Sequence, residues 1–410
     1  MAQKKTQVFR GIDTLLTLQG ASQKQGRRIQ ESDLSIQSKA AIVVENGKIL
    51  WLGPQKSLPR IYAKNSKEIH LDAATVLPGF VECHTHSLFA GSRASEFEMR
   101  LQGVSYQEIA KRGGGILSTM KATRQASAAD LKEKTQERVA NFMRQGVTTL
   151  EIKTGYALNE KEELKSLKVI HSLQGPRIVP TFLGAHSVPP EFSTAQDYLK
   201  HLETLLPKVR KLCDRVDIWI EKGFFEKDFS EAYLKKAQQL GFQIVIHADQ
   251  LTLSGGADLA VQLKALSADH VIQLGNGQIQ KLAASETTAV LLPLADLYMK
   301  CAYPPAQKLI EAGARVALAT DFNPGSCPSQ DLALVGLLAR LEMKMSLPQV
   351  IAAYTVGSSY ALGLQSEVGS LEIGKSADFI CTNEDWTSLF YSAGGLSVQK
   401  TYLKGHLIGF

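Results

Sequence analysis

The chain carries nine histidines, and their placement is the first feature that could do chemistry. Pro78-Gly-Phe-Val-Glu-Cys-His84-Thr-His86 sets two imidazoles at alternate positions. In an extended segment, residues i and i+2 point to the same side, so both rings can face one ion. Neutral imidazole suits zinc, iron, copper and nickel. Alone, the string is explained as well by two half-buried surface histidines. Position changes that reading. His186, His247, His270 and Asp321 each stand at or just after the end of a short run that reads as strand. His84, His86, His247 and Asp321 then make a candidate site for one divalent metal, with positions left open for water. An ion held there lowers the pKa of bound water and polarises a carbonyl, which is the chemistry of hydrolysis at an electrophilic carbon. A base is needed within reach of that water. Asp321 or His270 can serve, and His270 can instead orient a ligand or hold a second ion.

These side chains need elements to position them. From about residue 76 the chain alternates strand and helix, with strands expected over 76–80, 147–152, 177–182, 216–220, 243–247, 267–270, 288–292 and 315–320. A helix starts after Ser127 as N-cap, puts Leu131, Val139, Phe142 and Met143 near one face, and stops at Gly146. Another runs from Asp228 to Leu240 and stops at Gly241. Eight strands with helical crossovers are what an α/β protein of the (β/α)₈ TIM-barrel type requires, and the C-terminal strand ends form the active face of such barrels. Before residue 77 the signals are β: Ala41–Glu45 and Lys48–Leu52 flank Asn46-Gly47, a dipeptide suited to a type I′ hairpin turn. After residue 366 they are β again, in 377–381 and 398–408. The expected organisation is a barrel over 78–365 and a second, small β-sandwich domain built from both chain ends, 1–77 and 366–410.

Composition excludes several classes. Charged residues are 21% and apolar residues 44%, the balance of a soluble globular chain with a large core. The net charge of +6 is spread along the sequence beside acids, with no basic stripe and interleaved aromatics, so no nucleic-acid partner is expected. No apolar run suits a membrane span, and Met1–Gln7 leads into no secretory signal. The cysteine number, five, is odd and no CxxC occurs, which points to a reduced cytoplasmic location.

The placed histidines and Asp321 resemble the amidohydrolase superfamily. The text between them resembles its imidazolonepropionase branch: Ser87-Leu-Phe-Ala-Gly-Ser-Arg93, Glu96-Phe-Glu-Met-Arg-Leu-Gln-Gly103, Gly113-Gly-Gly-Ile-Leu-Ser-Thr119, Glu151-Ile-Lys-Thr-Gly-Tyr156, Gly184-Ala-His186, Ser267-Ala-Asp-His270 and Thr320-Asp-Phe-Asn-Pro-Gly-Ser326. The resemblance implies hydrolytic opening of the ring of 4-imidazolone-5-propanoate, giving N-formimidoyl-L-glutamate, in histidine degradation. It implies a mononuclear zinc or iron centre, a small carboxylate substrate and a candidate homodimer. Arg93 matches a carboxylate-holding guanidinium. Tyr156 and His186 match substrate contacts, and His186 is expected to polarise a ring carbonyl. Asn323, Gly325 and Ser326 are expected to offer N–H groups and a hydroxyl to substrate. Asp321, His270 and His186 are the expected catalytic groups. Gln250 stands where related heterocycle deaminases tend to carry Glu; an amide can hydrogen-bond the ring but cannot take up a proton at neutral pH. That lowers the alternative reading, a heterocycle deaminase. Binuclear members bridge two ions with a carboxylated Lys on the fourth strand, and Lys222 lies just past that strand. Lys153 is expected to be structural or electrostatic.

Overall fold

The computed structural model describes residues 6–104, 108 and 114–408, with the side chains of 63–65 also left out. Gly113 of the Gly113–Thr119 segment therefore lies outside the described residues. Eight parallel strands follow one another in chain order: Phe80–Glu82, Val147–Lys153, Arg177–Ala185, Arg215–Ile220, Gln243–Ala248, Ser267–His270, Thr288–Leu291 and Val316–Leu318. Helices cross between successive strands and cover the outside, as the alternating apolar runs require. The helix Ala128–Arg144 begins at Ser127, whose side chain accepts from the Asp130 N–H while the Asp130 carboxylate accepts from the Ser127 N–H. It buries Leu131, Val139, Phe142 and Met143, and Gly146 follows at φ +87°. The helix Lys227–Gln239 ends before Gly241, at φ +84°.

The second unit is a seven-stranded sheet drawn from both chain ends. In spatial order its strands are His406–Ile408, Val398–Leu403, Phe379–Thr382, Lys67–Pro78, Gln7–Leu16, Ile36–Glu45 and Lys48–Pro54. The two contributions meet where Phe379–Thr382 pairs antiparallel with Lys67–Pro78. Asn46 and Gly47 turn the last hairpin with φ +52° and +76°. Phe9 touches Tyr402 with ring centroids 5.3 Å apart, although two strands lie between theirs in the sheet order. The sheet thus curls until its halves face each other around Phe9, Phe379 and Tyr402, with a core separate from the barrel's.

One boundary differs from expectation. The run 76–80 is not one strand. Residues to Pro78 belong to the small sheet, and the first barrel strand starts at Phe80. Gly79 is the crossing point: its N–H donates to the Asp378 carbonyl in one sheet, and the next N–H, of Phe80, donates to Gly146 beside the other. A Cβ on Gly79 would come within 2.3 Å of the Thr148 side chain. Only glycine leaves room there for the Thr148 side chain.

Candidate metal centre

The first barrel strand ends at Glu82, and the chain stays extended beyond it because the eighth strand holds it. Thr85 bridges Phe322 in parallel. The His86 N–H donates to the Phe322 carbonyl at 2.8 Å, and the Asp321 N–H donates to the His84 carbonyl at 3.1 Å. The buried Glu82 carboxyl accepts from the His84 and Thr320 N–H groups, at 3.3 and 3.2 Å. The seam that closes the barrel thereby fixes His84, His86 and Asp321 relative to one another. His247, in the fifth strand, completes the set.

His84, His86 and His247 offer ring nitrogens all within 4.8 Å of one another. The Nε2 atoms of His86 and His247 are 3.4 Å apart, and Asp321 Oδ1 is 3.4 Å from Nε2 of both His84 and His86. Ligands about 2.1 Å from one tetrahedral ion stand roughly that far from each other. The fully buried Nε2 of His84 has no hydrogen-bond partner among the described residues. Spacing, donor types and this orphaned atom all fit one divalent cation. Two of the site's residues hold strained backbones, with φ +75° at His270 and +53° at Asp321. Such conformations cost about 1–2 kcal/mol in a residue with a Cβ, and they collect where function fixes geometry.

Behind the ligands lies a buried ionic network. Asp269 Oδ2 accepts from His84 Nδ1 at 2.6 Å, and Asp217 Oδ1 accepts from His247 Nδ1 at 3.1 Å. An ionised carboxylate only accepts, so each ring carries its proton on Nδ1 and turns the Nε2 lone pair to the centre. Lys153, fully buried, reaches Glu151 at 2.8 Å, Asp217 at 2.9 Å and Asp269 at 3.9 Å. Burial opposes its charge, but Asp217, Glu151 and Asp269 outweigh burial and hold its pKa above the usual lysine value. Lys153 is thus the cation that joins both orienting carboxylates. Sequence reasoning missed Asp217, Asp269 and Glu151; the available signal was an acid inside an otherwise apolar strand. Lys222, in contrast, is exposed. Near the end of the fourth strand it is Trp219 that faces the cavity, and the strand Arg215–Ile220 contains no lysine.

Charge at the ligands follows from these contacts. Burial and Lys153 push His84 toward neutrality, yet the neighbouring Asp269 and Asp321 carboxylates win and raise its pKa to about 9. Burial lowers His86 to about 4 despite Asp321. Burial opposes ionisation of Asp321, but the His84 and His86 imidazoles beside it hold its carboxyl well below the usual range. Burial keeps His186 and His270 neutral.

Above the centre opens a cavity of about 460 Å³. His86, His247, His270 and Asp321 form its floor, while His84 lies beneath, out of contact with it. Arg93, Tyr156, His186, Gln250, Asn323, Gly325 and Ser326 all line it. Arg93 gives its Nε–H to Glu96 at 2.8 Å and lays its guanidinium against Gly325, where a Cβ would sit 2.0 Å from Nη1. Gln250 Nε2 lies 3.7 Å from Met299 Sδ. The Tyr156 ring stands 5.2 Å from that of His186.

Two expectations change. The N–H groups of Gly325 and Ser326 already donate to Asn323 Oδ1, at 2.8 and 2.7 Å, and Asn323 Nδ2 donates to the Asp321 carbonyl and to Ser326 Oγ. Asn323 therefore shapes the loop from within, and the group left to donate into the cavity is the Ser326 hydroxyl. His186 Nδ1 donates to the Gly155 carbonyl at 3.0 Å. In the neutral ring that leaves Nε2 as an acceptor, which suits a substrate N–H and not a carbonyl. Arg100, Trp219, Phe224 and Met299 also line the cavity and were not singled out from the sequence.

Residues 75–408 match the model of the amidohydrolase family. The chain is 60% identical, over 97% of its length and 95% of the relative's, to an imidazolonepropionase of Bdellovibrio bacteriovorus. It is 37% identical to an imidazolonepropionase of Porphyromonas gingivalis, over 98% of this chain and 96% of that one. Its fold is similar to a zinc-bound adenosine deaminase from Xanthomonas campestris, with TM-score 0.70, 19% identity and coverage of 98% and 92% of the two chains. It is also similar to a zinc complex of atrazine chlorohydrolase from Arthrobacter aurescens, with TM-score 0.68, 16% identity and coverage of 98% and 94%.

Proposed function

The chain belongs to the amidohydrolase family, among the imidazolonepropionases, and from that membership we propose that it opens the ring of 4-imidazolone-5-propanoate to N-formimidoyl-L-glutamate with the residues gathered at this cavity. The observation that carries the residue assignment is the convergence of His84, His86, His247 and Asp321 under a cavity lined by Arg93, Tyr156, His186, Gln250 and Ser326.

The ligand set would hold one zinc or iron ion, which supplies Lewis acidity toward water and the ring carbonyl. The protein's own groups supply the rest. Arg93, tethered by Glu96 through Nε, clasps the propanoate carboxylate with its terminal N–H groups, which have no hydrogen-bond acceptor among the described residues. His186 accepts a ring N–H at Nε2, and Gln250 bonds the ring polar edge. Tyr156 and Trp219 wall the planar ring. Asp321, ionised at neutral pH, orients the attacking water. His270 is buried, neutral, and its Nδ1 has no hydrogen-bond partner among the described residues. It is the group able to take a proton and return it to the leaving ring nitrogen. Water adds at the ring carbonyl carbon, the ring C–N bond breaks, that carbon ends as a carboxylate, and the nitrogen leaves with a proton.

The test is loss of imidazolone absorbance in the purified protein, with and without chelator, alongside elemental analysis. We expect chelator-sensitive turnover at one ion per chain. A metal-loaded protein that leaves the imidazolone acid intact would overturn the reading. For residues, Arg93→Met should raise KM at least tenfold with a smaller change in kcat, whereas His270→Asn should lower kcat by 100-fold or more.

A further inference from the structure

Ring opening turns a monocarboxylate into a dicarboxylate, and the cavity has a second guanidinium to meet it. Arg100 lies seven residues after Arg93 on the segment that forms the helix Ala94–Leu101. Seven residues are nearly two helical turns, so both side chains project to one side, about 10 Å apart along the axis. The two differ in charge balance. Arg93 is paired with Glu96, whereas Arg100 has no carboxylate within ion-pair distance among the described residues; its Nη2 donates to the Tyr298 carbonyl at 3.1 Å.

Arg100 also belongs to a second cavity, of about 260 Å³, beside the first. That vestibule is lined by Phe97, Leu101, Leu297, Tyr298 and Leu334 together with Arg100 and Lys300. It contains two cations and no acid. Lys300, like Arg100, has no carboxylate partner among the described residues. A half-buried guanidinium beside an ammonium in an otherwise apolar hollow is a receptive setting for an anion.

We propose that Arg100 and Lys300 form an anion subsite at the edge of the metal cavity that engages a carboxylate of the ring-opened product as it leaves. The proposal rests on the ring-opening reading above. The substrate, with one carboxylate, is satisfied by Arg93. The product carries a second carboxylate that must be drawn away from the reaction centre. Arg100, in the lining of both cavities, stands where they adjoin.

The experiment compares two inhibitors of the metal-loaded full chain: N-formimidoyl-L-glutamate, a dicarboxylate, and 3-(imidazol-4-yl)propanoate, a monocarboxylate. In Arg100→Met and in Lys300→Met, the inhibition constant for the dicarboxylate should rise at least fivefold, and that for the monocarboxylate less than twofold. Arg93→Met should weaken both. The monocarboxylate is the internal control for distortion through the lost bond to Tyr298, and Arg100→Lys should recover part of the dicarboxylate affinity. Equal weakening of both inhibitors by Arg100→Met, or no change in either, overturns the subsite. Should Arg100→Met fail to fold, Lys300→Met, at an exposed residue, is read by the same criteria. Absence of imidazolone turnover in the unaltered chain sinks the functional reading instead, so the two failures are distinguishable.

Discussion

At His84 and His247 the competence of a ligand is decided one atom away from it. Each Nδ1 proton is pinned by a carboxylate, Asp269 or Asp217, and only that arrangement leaves Nε2 bare for an ion. An asparagine at 269 could donate as readily as accept, so the imidazole would lose its tautomeric instruction. Asp269→Asn should therefore weaken metal binding about 10- to 100-fold, measured by competition with a chelator of known affinity; unchanged affinity would contradict this account. The candidate ligands could be gathered from the sequence because histidines at successive strand ends form a pattern. Their orienting acids were not, because a single Asp inside an apolar strand announces burial without naming its partner. The same limit held for Asn323. Its type and its neighbours pointed to a substrate loop, but which hydrogen bonds the loop spends on itself appears only in three dimensions.

Elements were read well where local chemistry fixes them. The Asn46-Gly47 hairpin and the Ser127–Gly146 helix each carry their own start and stop signals, which act over a few residues. The first barrel strand was misplaced because its apolar run is continuous through residue 80 while its hydrogen-bond partners change from one sheet to another at Gly79. Periodicity cannot register a change of partner. Gly79 is thus the joint of the two units, and adding one carbon there should be costly. Gly79→Ala places a methyl against Thr148 with backbone on either side already committed to the Asp378 and Gly146 carbonyls. Loss of about 2–4 kcal/mol in urea unfolding is expected. A loss under 0.5 kcal/mol would mean that the close approach carries no weight.

Across the whole molecule, burial of acids beneath the barrel mouth makes the fold answer to pH. Burial raises Glu82 from 4.5 to about 8 and, with Asp321 nearby, Asp296 from 3.8 to about 8. Without metal, His84 is raised from 6.5 to about 9. From about pH 6.5 upward, the folded chain holds protons on these groups that the unfolded chain has released. The folded state then binds more protons than the unfolded state, so stability falls as pH rises. His86, His186 and His270 are depressed below 6.5, hence largely neutral in both states between pH 7 and pH 8, and oppose the trend mainly at lower pH. Chelator-treated protein should thus lose on the order of 1–3 kcal/mol between pH 7 and pH 8 by urea unfolding. Asp296→Asn supplies permanently the neutral form that the folded state prefers, so it should reduce that slope. Added metal should reduce it too, because an ion takes the place of the His84 proton, and should raise stability with concentration by mass action. Stability that climbs from pH 7 to pH 8 in the chelated protein would show that these groups are ionised in the fold, and that water reaches the floor of the barrel where the packing holds it dry.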